Sequence, residues 1–159
     1  MSKDNDIWAT PPEYFEKLDR IFKFTCDVCA LPFNTKVPDN YFTPDDDGLK
    51  QKWSGVCWMN PPFSESGKWV EKAVKESENG TIVVALLPSF VDTSWWRNYV
   101  HKKSDMIIPT KRLRFLRYSQ QITQIDLNGD KLPASKKATS RFGCCIVVWG
   151  ITEYLRLFE

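Results

Sequence analysis

The stretch Asn60-Pro61-Pro62-Phe63 contains residue types that could do chemistry. It follows the apolar run 56–59, which predicts a buried strand, and it precedes a predicted turn into a helix. Ligands of α/β sheets bind at such strand ends. Proline has no backbone donor, so the Pro61 carbonyl is free to accept a hydrogen bond from a ligand. The amide oxygen of Asn60 is a second acceptor beside it. Phe63 adds an aromatic face on which a planar ring could stack. The stretch therefore predicts a site for the exocyclic amine of a base.

This stretch and several segments around it resemble one enzyme family. Asn-Pro-Pro-Phe matches the Asn/Asp-Pro-Pro-Tyr/Phe motif of amino-group DNA methyltransferases, although alone it also fits a strand-to-helix turn with a packed phenylalanine. The other segments occur in the order Trp8-Ala9-Thr10-Pro11, Asp27-Val28-Cys29-Ala30, Asn34, Tyr41-Phe42-Thr43, Asp47-Gly48-Leu49 and Trp53. Together they resemble the phage-type Dam family of DNA N6-adenine methyltransferases from residue 8 to about residue 150.

The resemblance implies methyl transfer from S-adenosylmethionine to the N6 amine of an adenine flipped out of double-stranded DNA. The catalytic residues that it implies are Asn60, Pro61, Pro62 and Phe63. The donor-binding residues that it implies are Trp8, Thr10, Pro11, Asp27, Cys29, Ala30, Asn34, Asp47 and Leu49. The glycine-rich loop of the wider methyltransferase superfamily is missing, since residues 31–34 contain no glycine. The donor contacts therefore follow from this family alone.

The order of the predicted elements indicates an α/β fold. It fits a compact Rossmann-like S-adenosylmethionine-dependent methyltransferase fold with a compressed N-terminal half and a basic β-hairpin insertion. The compression follows from Pro32, Pro38, Pro44 and Gly48, which predict short strands and loops between residues 30 and 56. A chain of 159 residues predicts a single methyltransferase domain over residues 1–159. Residues 8–64 would form its donor-binding and active-site half, and residues 111–141 its DNA-contacting insertion.

Local patterns predict the elements that position the motif. Thr10-Pro11-Pro12-Glu13 predicts a capping box with Pro11 at the first position of a helix. Residues 24–30 alternate in the manner of a strand. The continuous apolar run 81–87 predicts a central strand buried on both faces, and Asn79-Gly80 predicts the end of the helix before it.

Charge is distributed unevenly along the chain. Residues 1–64 carry seven Lys or Arg against ten Asp or Glu, whereas residues 111–141 carry eight Lys or Arg against two Asp. In the basic segment, charged and apolar residues alternate up to Phe115, and Asn128-Gly129 predicts a hairpin turn. A solvated basic surface is one interpretation, and a surface facing a polyanion is the other. The predicted DNA-binding residues are Lys111, Arg112, Arg114, Arg117, Lys136, Lys137 and Arg141.

The five cysteines favour free thiols in a reducing cytoplasm, which is that of the bacterial host if the chain is phage- or prophage-encoded. Cys26 and Cys29 have the spacing of half a metal site, but the other cysteines and His101 supply no second half. We therefore expect no metal. The sequence also predicts no membrane segment and indicates no obligate protein partner.

Three other functions fit the same residues. A methyltransferase that acts on RNA or on the glutamine amide of a protein could use the same motif. A nucleotide-binding module without catalysis would show no donor-dependent turnover. A structural phage protein would not bind the methyl donor at all.

Overall fold

The computed structural model describes residues 8–125 and 131–152, and it describes the backbone alone for residues 116–125 and 131–138. Helices combine with two β-sheets, so the chain has a mixed α/β fold. The elements in chain order are β1 (Trp8–Ala9), α1 (Pro12–Phe22), β2 (Cys26–Asp27), β3 (Val56–Met59), a 3-10 turn (Phe63–Glu65), α2 (Ser66–Glu78), β4 (Ile82–Pro88), a π-helical segment (Trp96–His101), β5 (Met106–Pro109), β6 (Arg114–Ile125), β7 (Lys131–Thr139) and β8 (Cys144–Trp149).

The main sheet has five strands in the described part of the chain, in the order β2-β3-β4-β8-β5. β2, β3 and β4 run parallel, and β8 pairs antiparallel with both β4 and β5. Every residue of β4 is buried, which confirms the prediction of a central strand covered on both faces. Val83 and Ala85 pack on the side of α2 and the π-helical segment, whereas Val84 and Leu86 pack on the side of α1.

The described residues between β2 and β3 form turns and one isolated bridge, which joins Asp27 to Tyr41. The strand predicted over residues 24–30 is only two residues long, because the chain bends directly after Asp27. Val28 N nevertheless donates to Trp58 O at 3.0 Å, so the bent chain stays attached to β3. The short loops place Asp27 beside the carboxyl end of β3.

Two helix ends were predicted, the start of α1 and the end of α2, and only the second prediction is confirmed. The capping box is wrong, because Pro11 takes the N-cap position of α1 and no side chain caps the helix. The Thr10 hydroxyl instead accepts a hydrogen bond from Asn60 Nδ2 at 3.2 Å. The predicted end of α2 is confirmed at Asn79 and Gly80, where Gly80 has a φ of +92° that would strain any other residue.

β1, β6 and β7 form a second, antiparallel sheet. β1 pairs with β6, with Trp8 opposite Arg117. β6 and β7 make the predicted hairpin, and its predicted turn at Asn128-Gly129 lies outside the described residues. The chain that precedes α1 is therefore attached to the hairpin.

The described residues answer three further questions about the chain. All five cysteines are free thiols. In the described ranges, no group of three or more His, Cys, Asp or Glu is placed to hold a metal ion, and the expected independence of metal stays a prediction. No helix among these residues has both the length and the apolar character to cross a membrane.

Candidate active site

A cavity of about 550 Å³ lies at the carboxyl ends of β2 and β3. The end of β2 contributes Asp27, and the end of β3 contributes Asn60. The turn Asp47-Gly48-Leu49 and the opening segment, defined as residues 8–10, also line it. The volume suits a small-molecule ligand, and α/β sheets bind ligands at this end of their parallel strands.

The opening segment holds Asn60 in one orientation. Asn60 Nδ2 donates to the Trp8 carbonyl at 2.7 Å and to Thr10 Oγ1 at 3.2 Å, so both amide hydrogens are used. Asn60 Oδ1 is buried and has no hydrogen-bond partner among the described residues. A buried acceptor without a partner costs about 1–3 kcal/mol. The end of β3 therefore carries an acceptor that an incoming amine would satisfy.

The two prolines after Asn60 occupy different positions. Pro62 lines the cavity, and its carbonyl accepts from Glu65 N at 2.9 Å in the 3-10 turn. Pro61 is buried and does not line the cavity. The role of the Pro61 carbonyl as the second acceptor stays a prediction.

Phe63 lies in the core rather than in the cavity wall. Its side chain is 9% exposed. It packs edge-on against Phe115 and Phe142, with ring centroids 6.1 Å and 5.6 Å away. The predicted stacking of Phe63 on a base stays a prediction, and the structure adds a packing role.

Asp27 is a buried carboxylate in the cavity wall, with 2% of its surface exposed. Its Oδ2 accepts from Lys36 N at 2.8 Å, and its Oδ1 accepts from Cys29 N at 3.3 Å. Burial raises the pKa of Asp27 to about 6, although these backbone donors oppose the rise. At neutral pH the carboxylate is therefore ionised and would attract a cationic group of a ligand.

The structure brings most of the predicted donor-binding residues to this cavity. Those that line it are Trp8, Thr10, Asp27, Cys29, Ala30, Asn34, Asp47 and Leu49. Pro11 does not line it, and its carbonyl accepts from Tyr14 N and Phe15 N at the start of α1. Asn34 Oδ1 accepts from Leu31 N at 2.8 Å, which shapes the loop after β2. Their contacts with a donor stay predictions.

Gly48 allows two parts of the cavity wall to approach each other closely. A Cβ at this position would lie 2.2 Å from the Val28 carbonyl oxygen and 3.1 Å from the ring of Trp69. The Gly48 carbonyl accepts from Trp53 Nε1 at 2.8 Å. Asp47, directly before Gly48, has a φ of +52°, so the backbone of this turn takes the left-handed conformation there. Only glycine fits here without displacing the wall.

Comparison with known proteins identifies the family of the chain. The family model described as DNA N-6-adenine-methyltransferase (Dam) matches residues 1–148. The chain belongs to this Dam family. A DNA N-6-adenine-methyltransferase of Haemophilus phage HP1 (strain HP1c1) is 37% identical over 119 residues, which are 71% of this chain and 68% of that protein. Another, of Escherichia phage T1, is 30% identical over 105 residues, which are 64% of this chain and 44% of that protein. The predicted phage-type family is thereby confirmed.

Where the side chains of the basic segment 111–141 are described, they do not line the cavity of this Dam-family chain. Leu113 and Phe115 are buried, which confirms the predicted alternation. The basic residues Lys111, Arg112, Arg114 and Arg141 are exposed. For Arg117, Lys136 and Lys137 the structure gives only the ladder, which pairs Arg117 with Lys136 and Leu116 with Lys137.

The cavity wall includes polar residues that were not predicted as site residues, and Trp69 and Lys36 are two of them. Trp69 lies on the core face of α2, and its buried Nε1 has no partner among the described residues. Lys36 lies in the loop after β2. A single lysine in a loop belongs to no motif or spacing, so nothing in the sequence distinguishes Lys36 from the other lysines.

Proposed function

We infer that this chain transfers a methyl group from S-adenosylmethionine to the exocyclic N6 amine of adenine in DNA. Membership of the Dam family supports this reaction. The observation that carries the inference is Asn60 Oδ1, a buried acceptor in the family's motif that has no partner among the described residues. The hydrogen of an amine is the group that would complete it.

Acceptors at the end of β3 would activate and orient the amine. Asn60 Oδ1 and the Pro61 carbonyl would each accept a hydrogen bond from the amine, which draws the nitrogen toward tetrahedral geometry and directs its lone pair at the methyl group. The nitrogen would gain the methyl group as the sulfonium–methyl bond breaks, and it would lose one proton to solvent. An adenine inside a duplex cannot reach this cavity, so the base is flipped out. Phe63 would stack on its ring once the base is bound. The chain then acts by positioning and electrostatics, without a covalent enzyme intermediate.

The cavity fits the methyl donor that the family implies. S-adenosylmethionine supplies, when bound, an electrophilic methyl group on a sulfonium. The Asp27 carboxylate suits its ammonium group, because that carboxylate is buried and ionised at neutral pH. Asp47 and Leu49 would contact its adenosine, and Gly48 would let the backbone come close to it.

We also propose a fold, a domain organisation and a site of action for the whole chain. The three parallel strands β2, β3 and β4, with a ligand site at their carboxyl ends, support a compact Rossmann-like fold. Residues 1–159 would form one methyltransferase domain. The matched relatives are phage proteins, so the site of action proposed here is the cytoplasm of a bacterial host.

The basic segment 111–141 is the proposed DNA contact. Lys111, Arg112, Arg114 and Arg141 are exposed in the structure. The ladder of the hairpin pairs Arg117 with Lys136. Two basic residues at paired positions destabilise a strand pair. A phosphate backbone beside the hairpin would offset that repulsion.

Replacing Lys136 and Lys137 together by alanine should weaken binding to every DNA sequence, because phosphate contacts position a protein without reading bases. If each lysine contacts one phosphate, the slope of log affinity against log salt should flatten by about 0.9 per lysine. Fluorescence anisotropy on two unrelated duplexes measures both quantities. Lys75→Ala is the control, because Lys75 pairs with Glu71 on α2 and is exposed. Unchanged affinity with an unchanged slope would mean that DNA docks elsewhere.

Donor affinity should fall as the pH is lowered through about 6, the pKa of Asp27. Asp27 is ionised above that pH and neutral below it, and only the ionised form attracts an ammonium. Calorimetric titration of S-adenosyl-L-homocysteine between about pH 5 and 8 measures the dependence. Asp27→Asn should bind more weakly at neutral pH and lose this dependence. If the affinity of Asp27→Asn for S-adenosyl-L-homocysteine kept the same pH dependence, a group other than Asp27 would be the one that titrates.

The test of the proposed function is a labelled-donor assay on three polymers. The protein is incubated with methyl-labelled S-adenosylmethionine and, in separate reactions, with DNA, RNA and a protein mixture. We expect label in DNA and background label in the other two. Label in RNA or protein, with none in DNA, would replace the substrate proposed here.

A further inference from the structure

Lys36 is a half-buried cation in the cavity wall. Its Nζ lies 5.8 Å from the centre of the Phe15 ring. No ion pair among the described residues includes Lys36. Burial lowers the pKa of Lys36, an effect that the charges of Asp27, Glu13 and Glu16 oppose. Because this ammonium is partly removed from water and forms no ion pair among the described residues, it is suited to an anionic group of a ligand.

Lys36 and Asp27 place opposite charges in the same part of the wall. The backbone N of Lys36 donates to Asp27 Oδ2 at 2.8 Å, which fixes the loop against the carboxylate. Among the described residues, the side chains of Lys36 and Asp27 form no ion pair with each other. Each charge attracts the other at longer range. Both charges thus remain available to a ligand that carries an anion and a cation side by side.

We propose that Lys36 Nζ binds the α-carboxylate at the amino-acid end of the methyl donor, next to the ammonium that Asp27 takes. This inference rests on the proposed function, because it names a residue of the same site. An α-amino acid carries its two charges on one carbon, so it requires a cation and an anion near each other that are not already neutralised by direct pairing. Lys36 and Asp27 meet that requirement in the cavity wall.

The test compares two ligands on two proteins by calorimetry. One ligand is S-adenosyl-L-homocysteine, and the other is its decarboxylated analogue, which keeps the ammonium. Wild type should bind the analogue about 10- to 100-fold more weakly, as expected for the loss of a charged hydrogen bond. Lys36→Met should lose a similar factor for S-adenosyl-L-homocysteine and should no longer distinguish the two ligands. Lys36→Arg should restore part of the discrimination. Lys75→Met, on the outer face of α2, should behave as wild type.

Each other outcome decides against the inference. Equal binding of the two ligands by wild type overturns it without any variant, so a poorly folded Lys36→Met cannot hide the answer. Discrimination that persists in Lys36→Met would assign the carboxylate to another group. A variant that weakens DNA binding alone would make Lys36 a phosphate contact. If wild type binds neither ligand nor S-adenosylmethionine, the proposed function itself fails, and that result is distinguishable from the others.

Discussion

Replacing Asn60 by alanine should slow methylation by about two to three orders of magnitude, while the affinity for the donor stays within a few-fold. The substitution removes the Oδ1 acceptor at the end of β3. Loss of one such transition-state contact costs about 2.7–4 kcal/mol, or 100- to 1,000-fold in rate. Single-turnover kinetics with labelled donor measure the rate, and calorimetry measures the donor affinity.

Two further variants separate the acceptor from the support that Asn60 gives to the opening segment. Asn60→Asp keeps an acceptor but loses the donation to the Trp8 carbonyl. Thr10→Val removes one partner of Nδ2 and leaves Oδ1 intact. Thr10→Val should therefore retain far more activity than Asn60→Ala. If Thr10→Val and Asn60→Ala lost equal activity, Asn60 would act by holding the opening segment.

Replacing Phe63 by alanine should lower the free energy of unfolding by about 3–5 kcal/mol, the range for a buried phenylalanine. The reason is its burial between Phe115 and Phe142 in the core. Stacking on a flipped base would add a loss of about 1–3 kcal/mol in productive DNA binding. Phe63→Tyr should be tolerated in both respects. Chemical denaturation measures the first effect, and the KM for DNA at a temperature where the variant is folded measures the second.

Phe142→Ala is the matched control for these two roles of Phe63. Phe142 packs against Phe63 and Phe90 in the same aromatic group, and it does not line the cavity. It should lower stability without a selective effect on the KM for DNA. If Phe63→Ala and Phe142→Ala changed the KM equally, Phe63 would act through packing alone.

The parts of the structure that the sequence predicted depend on short-range patterns. The apolar run of β4 and the turn at Asn79-Gly80 are local, and both are confirmed. The position of Asn60 at the end of a parallel strand follows from the apolar run directly before it. The hairpin was predicted from the pair Asn128-Gly129, and the alternation of basic and apolar residues holds at Leu113 and Phe115.

The remaining features depend on contacts between distant parts of the chain. The partners of Asn60 Nδ2 lie 52 and 50 residues away, at Trp8 and Thr10. No pattern near Thr10 could show that its hydroxyl faces Asn60 rather than capping α1. Likewise, the burial of Phe63 depends on two phenylalanines from the last third of the chain, and the placement of Lys36 depends on an irregular loop.

The identity of the methylated nucleoside tests the central claim most directly. Unmethylated double-stranded DNA is incubated with S-adenosylmethionine and either wild type or Asn60→Ala, then digested to nucleosides and separated by mass spectrometry. We predict N6-methyldeoxyadenosine with wild type and, at an early time point, at most about one hundredth of that yield with Asn60→Ala. Methylated cytosine in place of methylated adenine, no methylated nucleoside with wild type, or equal yields from both proteins would contradict the account.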